Sequence, residues 1–130
     1  VRTFGKQTEN VTRLVFSPDG DLLASATPDT VQLWRVDDGS LVRETQGVRN
    51  SISFSPDSRL LASTDASGTL GLWQTSDGSL VRELEVSGVV SGTAFSSDGR
   101  LLAVMYTSRT LRFVPLEHRV KVPPIRFLSV

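Results

Sequence analysis

The side chains that could carry out chemistry are few in this sequence and far apart. Nucleophilic catalysis needs a base beside a Ser, Thr or Cys side chain, and the 130 residues contain one His, His118, and no Cys. His118 lies near the C-terminal end without a partner motif, so we expect it to be a surface turn residue. Because there is no Cys, disulfides and thiolate metal sites are excluded. The sequence therefore predicts no catalytic residue and no enzyme activity.

Aspartates recur in short polar segments, where calcium binding is the chemistry to consider. A calcium loop needs dense, alternating oxygen ligands, and these segments lack that pattern. Gly or Ser follows the Asp in most of them, as in Ser17-Pro18-Asp19-Gly20, and this composition is typical of tight turns. No glycine-rich phosphate loop or dinucleotide fingerprint is present. We therefore expect no metal site and no cofactor, and we interpret the following residues as turn formers: Asp19, Asp37, Asp38, Asp57, Asp77 and Asp98.

The overall charge argues against two classes of partner. Lys and Arg total 14, and Asp and Glu also total 14. A chain with this balance lacks the basic excess that binds duplex DNA or an anionic membrane surface. No run of residues approaches the roughly 18 apolar residues that a membrane span needs. We therefore expect neither specific nucleic-acid binding nor membrane association.

A ten-residue stretch occurs three times and organises the chain. It reads FSPDGDLLAS at Phe16–Ser25, FSPDSRLLAS at Phe54–Ser63 and FSSDGRLLAV at Phe95–Val104. The starting Phe residues are 38 and 41 positions apart. Self-similarity at a period of about 40 residues indicates an array of structural repeats. Each copy is followed by an aromatic residue that ends a second apolar run, namely Trp34, Trp73 and Phe113.

Within each repeat, short runs of strand-forming residues alternate with turn segments. The first unit predicts strands at Val11–Phe16, Leu22–Ala26, Val31–Val36 and Leu41–Thr45. The second predicts Ser51–Phe54, Leu60–Thr64, Thr69–Gln74 and Leu80–Leu84. The third predicts Val90–Phe95, Leu101–Met105, Thr110–Val114 and a weak fourth strand at Arg119–Val122, which Pro123-Pro124 would stop. The remainder, to Val130, is expected to be an edge strand or a docked tail.

The resulting division of the chain has three complete units. Residues 11–45, 48–84 and 90–122 form the units, and residues 123–130 form a C-terminal tail. Val1–Phe4 repeats the Val-Arg core of Leu41–Thr45 and Leu80–Leu84, so we interpret it as the last strand of a preceding unit. The chain begins inside a repeat without an initiator Met, and we expect it to be a processed, trimmed or excerpted piece.

These residues give the chain a resemblance to the WD-repeat family of β-propellers. The motifs FSPDG and FSPDS, each followed by LLAS, carry the resemblance, and Trp34 and Trp73 match the Trp that closes the family's third strand. Two features depart from the family pattern: Arg35 and Gln74 replace the Asp after Trp, and the Gly-His pair is missing. The family's His–Asp–Ser/Thr–Trp hydrogen-bond network should therefore be absent, and the units should depend more on apolar packing, with both Trp side chains in the core.

The fold class that follows is all-β, with three propeller blades of four antiparallel strands. The segments LLAS, VQLW and LGLW are apolar on both sides, which is typical of sheets covered on both faces. Propellers close with about 4–8 blades, so three blades form an incomplete ring. Two solutions remain open. The chain is a segment of a longer propeller, or identical copies assemble, for example two copies giving six blades, with Val1–Phe4 completing the last blade of a neighbour.

The resemblance implies a non-catalytic scaffold that binds a protein or peptide partner. The alternative is a structural role in which the open faces pair with identical copies. A third reading, binding of a small ligand or hydrolase activity, needs convergent polar groups near the axis, where the inner strands offer only Arg13 and hydroxyl groups. In the family, the loops before the first strand and between the second and third strands share one rim, which commonly binds partners. By position, the rim candidates are Lys6, Gln7, Glu9, Asn10, Asp29, Arg49, Asn50, Asp65, Glu85, Ser87 and Arg109.

Overall fold

The computed structural model describes residues 10–46, 52–64, 69–85, 88–116 and 126–129. Within these ranges every regular element is a β-strand, and no helix is long and apolar enough to cross a membrane. The strands are β1 (Arg13–Phe16), β2 (Leu22–Ala26), β3 (Thr30–Arg35), β4 (Leu41–Gln46), β5 (Ile52–Phe54), β6 (Leu60–Thr64), β7 (Thr69–Gln74), β8 (Leu80–Glu85), β9 (Val90–Phe95), β10 (Leu101–Tyr106), β11 (Thr110–Pro115) and β12 (Arg126–Ser129).

The strands form three four-stranded antiparallel sheets in chain order, which we call blade 1 (β1–β4), blade 2 (β5–β8) and blade 3 (β9–β12). In blades 1 and 2, neighbouring strands are separated by three to five residues, as antiparallel pairing allows, whereas ten residues separate β11 from β12 in blade 3. The first strands of blades 2 and 3 lie beside each other, where the Ser53 and Thr93 hydroxyls share a hydrogen bond of 2.9 Å. The described blades do not close a ring, so the predicted fold class is confirmed.

The hairpin between the first two strands of each blade is built by a Ser and an Asp. In blade 1 the Ser17 hydroxyl donates to Asp19 Oδ1 at 2.6 Å and accepts the backbone N–H of Leu22 at 3.0 Å. Asp19 Oδ1 also accepts the N–H of Asp21 at 3.0 Å. Because the side chains satisfy the backbone of the turn, the same Ser-x-Asp sequence forms the same hairpin in blades 2 and 3.

The hairpin between the third and fourth strands uses an Asp-Gly-Ser sequence. Asp38 Oδ1 accepts the N–H of Ser40 at 2.9 Å and its hydroxyl at 2.6 Å. Gly39 has φ of 72°, in the left-handed region that glycine enters without steric cost. Asp77, Gly78 and Ser79 repeat this arrangement in blade 2. The stretch DGSLVRE occurs identically at Asp38–Glu44 and Asp77–Glu83, and these contacts account for its Asp, Gly and Ser.

The blades stack face to face, and the core lies between them. Between blades 1 and 2 the buried side chains are Ala24, Ala26, Val31 and Leu33 from blade 1 and Ile52, Phe54 and Leu61 from blade 2. Between blades 2 and 3 they are Ala62, Leu70 and Leu72 from blade 2 and Leu102, Val104, Tyr106 and Val114 from blade 3. Blade 2 is therefore covered on both faces, as its non-alternating apolar sequence predicts.

Both tryptophans keep a polar contact that the sequence led us to discount. Trp34 Nε1 donates to Ser25 Oγ at 3.1 Å, and Trp73 Nε1 donates to Ser63 Oγ at 3.0 Å. The Ser and Trp ends of the family's network are therefore present without its His and Asp, which corrects the expectation of a complete loss. Trp34 is buried, and Trp73 is partly buried against the core between blades 1 and 2.

In blade 3, Val114 occupies the repeat position that Trp34 holds in blade 1. The sequence alignment, which placed Phe113 at this position, was wrong by one residue. Val114 pairs with Leu102, just as Trp34 pairs with Leu23. The difference arises because β10 continues to Tyr106, one residue further than the equivalent strand of blade 1. Since successive side chains of a strand point to opposite faces, Phe113 lies on the face of blade 3 that is turned away from blade 2.

The fourth strand of blade 3 is β12, which pairs with β11 so that Arg126 lies opposite Phe113. It comes from the segment interpreted as an edge strand or tail, so blade 3 extends to Ser129. In the sequence β12 follows Pro123-Pro124, and its first described residue is Arg126. Arg119–Val122, expected here, and Val1–Phe4 lie outside the described residues. Since β12 fills the outer position of blade 3, a neighbour's Val1–Phe4 is not required there.

Candidate interaction rim

One end of the sheets carries the loops that precede each first strand and those that join each second and third strand. In blade 1 the N–H of Thr12 donates to the Ala26 carbonyl oxygen at 2.7 Å, and the Thr12 hydroxyl donates to the same oxygen at 3.2 Å. These bonds fasten the segment before β1 to the end of β2. Asn10 and the loop containing Asp29 are therefore neighbours at one end of blade 1. We use the term rim for this end of blade 1 together with the corresponding end of blade 3.

The β2–β3 loop is ordered by a buried threonine. Thr27 Oγ1 accepts the N–H of Thr30 at 3.0 Å and that of Asp29 at 3.3 Å, and it shares a hydrogen bond of 2.9 Å with the Thr30 hydroxyl. Its side chain is turned inward, whereas Asp29 is exposed. The loop therefore presents a carboxylate to solvent from a backbone that is already held in place.

The β10–β11 loop of blade 3 presents the opposite charge. The N–H of Thr107 donates to the Val89 carbonyl oxygen at 2.9 Å, and the N–H of Arg109 donates to the Tyr106 carbonyl oxygen at 3.1 Å. Arg109 is exposed and has φ of 68°. This is the left-handed region that side chains other than glycine rarely adopt. Such strain, on the order of 1 kcal/mol, persists only where the surrounding bonds hold it.

Exposed valines lie beside both charged loops. Val11 is 38% exposed and precedes β1, so the strand predicted from Val11 begins two residues later, at Arg13. Val89 is 67% exposed and follows Gly88, whose φ is 101°. The sequence analysis did not single out Val89, although a glycine directly before it signals a loop. The described part of the rim therefore presents exposed apolar side chains beside exposed charged ones.

The rim candidates fall into two groups. Asn10, Asp29 and Arg109 are exposed on the rim at the predicted ends of blades 1 and 3, and Glu85 ends β8. The structure does not bring Asp29 and Arg109 into contact, since blade 2 stands between their sheets. The other candidates lie outside the described residues: Lys6, Gln7, Glu9, Arg49, Asn50, Asp65 and Ser87.

Five of the six aspartates predicted to form turns have that structural role, at the opposite end of the sheets. A hydrogen bond from the Ser17 hydroxyl, followed in importance by the N–H of Asp21, holds the pKa of Asp19 below its usual value, because both bonds favour the charged carboxylate. The corresponding serine hydroxyl lowers the pKa at each equivalent position. Among the residues that the structure describes, no group of three or more His, Cys, Asp or Glu side chains could hold a metal ion. The remaining aspartates whose pKa is lowered in this way are Asp38, Asp57, Asp77 and Asp98.

Comparison with known proteins identifies the repeat. The family model for the WD domain, G-beta repeat, matches residues 1–35 and 39–74, more than half of the chain. A search of curated protein sequences found no relative.

Solved structures show the same fold. The β-propeller domain of Cps50 (Swd1) from Myceliophteria thermophila is 25% identical, with a TM-score of 0.78 over 95% of this chain and 40% of that one. The WD40 repeats of RRP9 are 21% identical, with a TM-score of 0.76 over 88% of this chain and 38% of that one. U3-55K is 21% identical, with a TM-score of 0.80 over 99% of this chain and 42% of that one. The chain thus spans about two fifths of each.

Proposed function

The chain belongs to the WD40 repeat family, whose β-propellers generally serve as protein-interaction scaffolds, and we propose that it binds a protein or peptide through the rim and catalyses no reaction. The observation that carries this proposal is the pairing of an exposed valine with an exposed charge on ordered loops. Rigid scaffolds commonly present their binding residues on such loops.

The rim supports a partner of mixed chemistry. Val11 and Val89 offer apolar contact, while Asp29 on blade 1 and Arg109 on blade 3 offer opposite charges. An extended peptide that crosses the rim from blade 1 to blade 3 would place a basic residue near Asp29 and an acidic residue near Arg109. Complementary charges of this kind direct orientation and association rate more than they increase affinity.

The absence of catalysis is supported by what the described polar groups already do. The turn aspartates accept hydrogen bonds from their own hairpins. At the inner strands, the Ser53 and Thr93 hydroxyls bond to each other. His118 lies outside the described residues, and its sequence context contains no partner motif for catalysis.

The test is selection of binding peptides followed by charge reversal. The whole chain is panned against a random peptide library displayed on phage, and the selected peptides are synthesised and titrated. We expect Asp29→Lys and Arg109→Glu to weaken binding about three- to tenfold, in line with the loss of a charge pair of roughly 1 kcal/mol at an interface rim.

Matched controls reverse exposed charges at the opposite end of the sheets. Asp21→Lys and Arg59→Glu lie at the hairpins that join the first and second strands of blades 1 and 2. Both should leave peptide affinity unchanged. Peptides that bind equally well to all four variants would contradict the rim as the binding surface.

A further inference from the structure

Tyr106 carries a buried hydroxyl group that has no hydrogen-bond partner among the described residues. It is the last residue of β10, at the rim end of blade 3, and it is 4% exposed. Its equivalent in blade 1 is Thr27, whose hydroxyl oxygen accepts the N–H of Thr30 at 3.0 Å and so orders the rim loop. Because burying an unpaired hydroxyl group costs free energy, the Tyr106 hydroxyl requires an explanation.

The packing of Tyr106 does not depend on its hydroxyl group. The residue belongs to the apolar core between blades 2 and 3, together with Leu70 and Leu72 of blade 2 and Val104 of its own strand. Phe provides the same aromatic ring without a polar atom, so Phe would suit this core better than Tyr. Since Tyr106 lies between blades 2 and 3, its burial does not depend on what adjoins the other face of blade 3. The hydroxyl group therefore points to a role in addition to packing.

An exposed segment of the rim lies next to the Tyr106 ring. A Cβ added to Gly88 would be 3.7 Å from Tyr106 Cδ1, and both Gly88 and Val89 are exposed. Gly88 has φ of 101°, a conformation that is open to glycine and rare for other residues, so it can act as a hinge for Val89. The pairing of β9 with β10 also shifts register between Met105 and Tyr106. A small displacement of Gly88 and Val89 would therefore open Tyr106 to a molecule bound at the rim.

Arg109 places a positive charge in the loop that follows Tyr106. Its N–H donates to the Tyr106 carbonyl oxygen at 3.1 Å, which holds the two residues close in the backbone, and its side chain is exposed. An ionised carboxylate only accepts hydrogen bonds, and a bond from a hydroxyl group to a carboxylate is stronger than one between neutral groups. An acidic side chain is therefore the group that suits both a guanidinium and a hydroxyl donor.

We propose that Tyr106 is a recognition residue for the partner that binds the rim. An acidic side chain of the partner pairs with Arg109 and accepts a hydrogen bond from the Tyr106 hydroxyl once Gly88 and Val89 move aside. The hydroxyl group is unpaired in the free chain and paired in the complex, so binding recovers the free energy that its burial costs. This inference rests on the proposed function of the rim and names the chemistry that is recognised at blade 3.

The experiment compares Tyr106→Phe with the unmodified whole chain in a double-mutant cycle. The probes are a peptide selected on the unmodified chain by phage display and the same peptide with Ala in place of its acidic residue. We expect Tyr106→Phe to weaken binding of the acidic peptide about three- to tenfold and to leave binding of the Ala peptide unchanged. In urea unfolding of the free chain, Tyr106→Phe should raise the midpoint, because Phe fills the same space without an unpaired hydroxyl group.

Thr75→Val is the matched control, because it removes a buried hydroxyl group that is paired. Thr75 is 6% exposed, lies at the opposite end of the sheets and donates to the Ser58 carbonyl oxygen at 2.7 Å. The variant should lower the urea midpoint and leave both peptide affinities unchanged.

Three results would overturn the inference: selected peptides without an acidic residue, an equal effect of Tyr106→Phe on both peptides, or a lower urea midpoint for Tyr106→Phe. If Arg109→Glu still weakens binding in these cases, the rim remains the proposed binding surface. If Asp29→Lys and Arg109→Glu both leave binding unchanged, the proposed function of the rim fails and this inference fails with it.

Discussion

Replacing Phe54 and Phe16 separately with Ala tests how much of the stability comes from contact between blades. Both residues occupy the same position of the repeat, but Phe54 is 9% exposed and Phe16 is 62% exposed. An aromatic side chain can bury about 200 Å², so Phe54 loses roughly 180 Å² from water and Phe16 roughly 75 Å². At about 25 cal/mol per Å², less the methyl group that Ala retains, the expected losses are about 3–4 kcal/mol for Phe54→Ala and about 1 kcal/mol for Phe16→Ala.

The assay is urea unfolding followed by tryptophan fluorescence, at a protein concentration low enough to keep chains apart. The difference between the two variants, about 2–3 kcal/mol, is more reliable than either value, because both substitutions change the unfolded chain in the same way. The slope against urea should stay unchanged, so that the shift in midpoint reports stability. Equal losses for the two variants would refute the view that blade 1 buries Phe54 while Phe16 remains open.

Three further predictions concern the turns. Ser58 has φ of 65°, and its hydroxyl accepts the Asp19 N–H at 3.1 Å. Ser58→Ala should therefore lower the unfolding free energy by about 1 kcal/mol, whereas Ser58→Gly should lower it by less, because glycine adopts this φ without strain. The reverse order of the two variants in urea unfolding would contradict this. Gly78→Ala should lower the unfolding free energy by at least about 1 kcal/mol more than Gly20→Ala. Both glycines have positive φ, but only at Gly78 would an added Cβ lie 2.7 Å from Arg43 Cβ. Equal urea midpoints for the two variants would contradict this. The folded-state pKa values of the five turn aspartates lie below their usual 3.8. The hydrogen bonds that these carboxylates accept therefore stabilise the fold above about pH 4, and this stabilisation is lost as pH falls through the lowered pKa values. Thermal unfolding midpoints that stay level from pH 5 to pH 2 would contradict this.

Much of the fold could be predicted because each repeat contains characteristic turn residues and apolar runs that indicate its hairpins and strands. Ser17 and Asp19 form the hairpin that their sequence indicates, and the strands of blades 1 and 2 lie within one or two residues of their predicted ends. The fourth strand of blade 3 was harder, because blade 3 lacks the Asp-Gly turn that precedes the fourth strand of blades 1 and 2, and sequence pattern alone does not show which segment pairs with β11.

The candidate site was only partly predictable. Position in the repeat predicted that Asn10, Asp29 and Arg109 lie in exposed loops at one end of the sheets, because loops of a known repeat fall at known ends of its sheets; their role in binding stays a prediction. It did not identify Val89, whose exposure depends on where β9 begins and on the conformation of Gly88. Residues in a loop have no periodic pattern, so their exposure follows from the bonds that fold the loop.

The sequence by itself determined the repeat, the four-stranded unit and the number of blades, because local turn chemistry and apolar runs act within each unit of about 40 residues. Only the tertiary structure decided which residues meet across blades. It assigned the tryptophan position of blade 3 to Val114, placed Arg43 over Trp73, and left Phe16 exposed where Phe54 is buried. The physical reason is that equivalent residues have the same local sequence but different neighbours, and burial depends on the neighbouring blade.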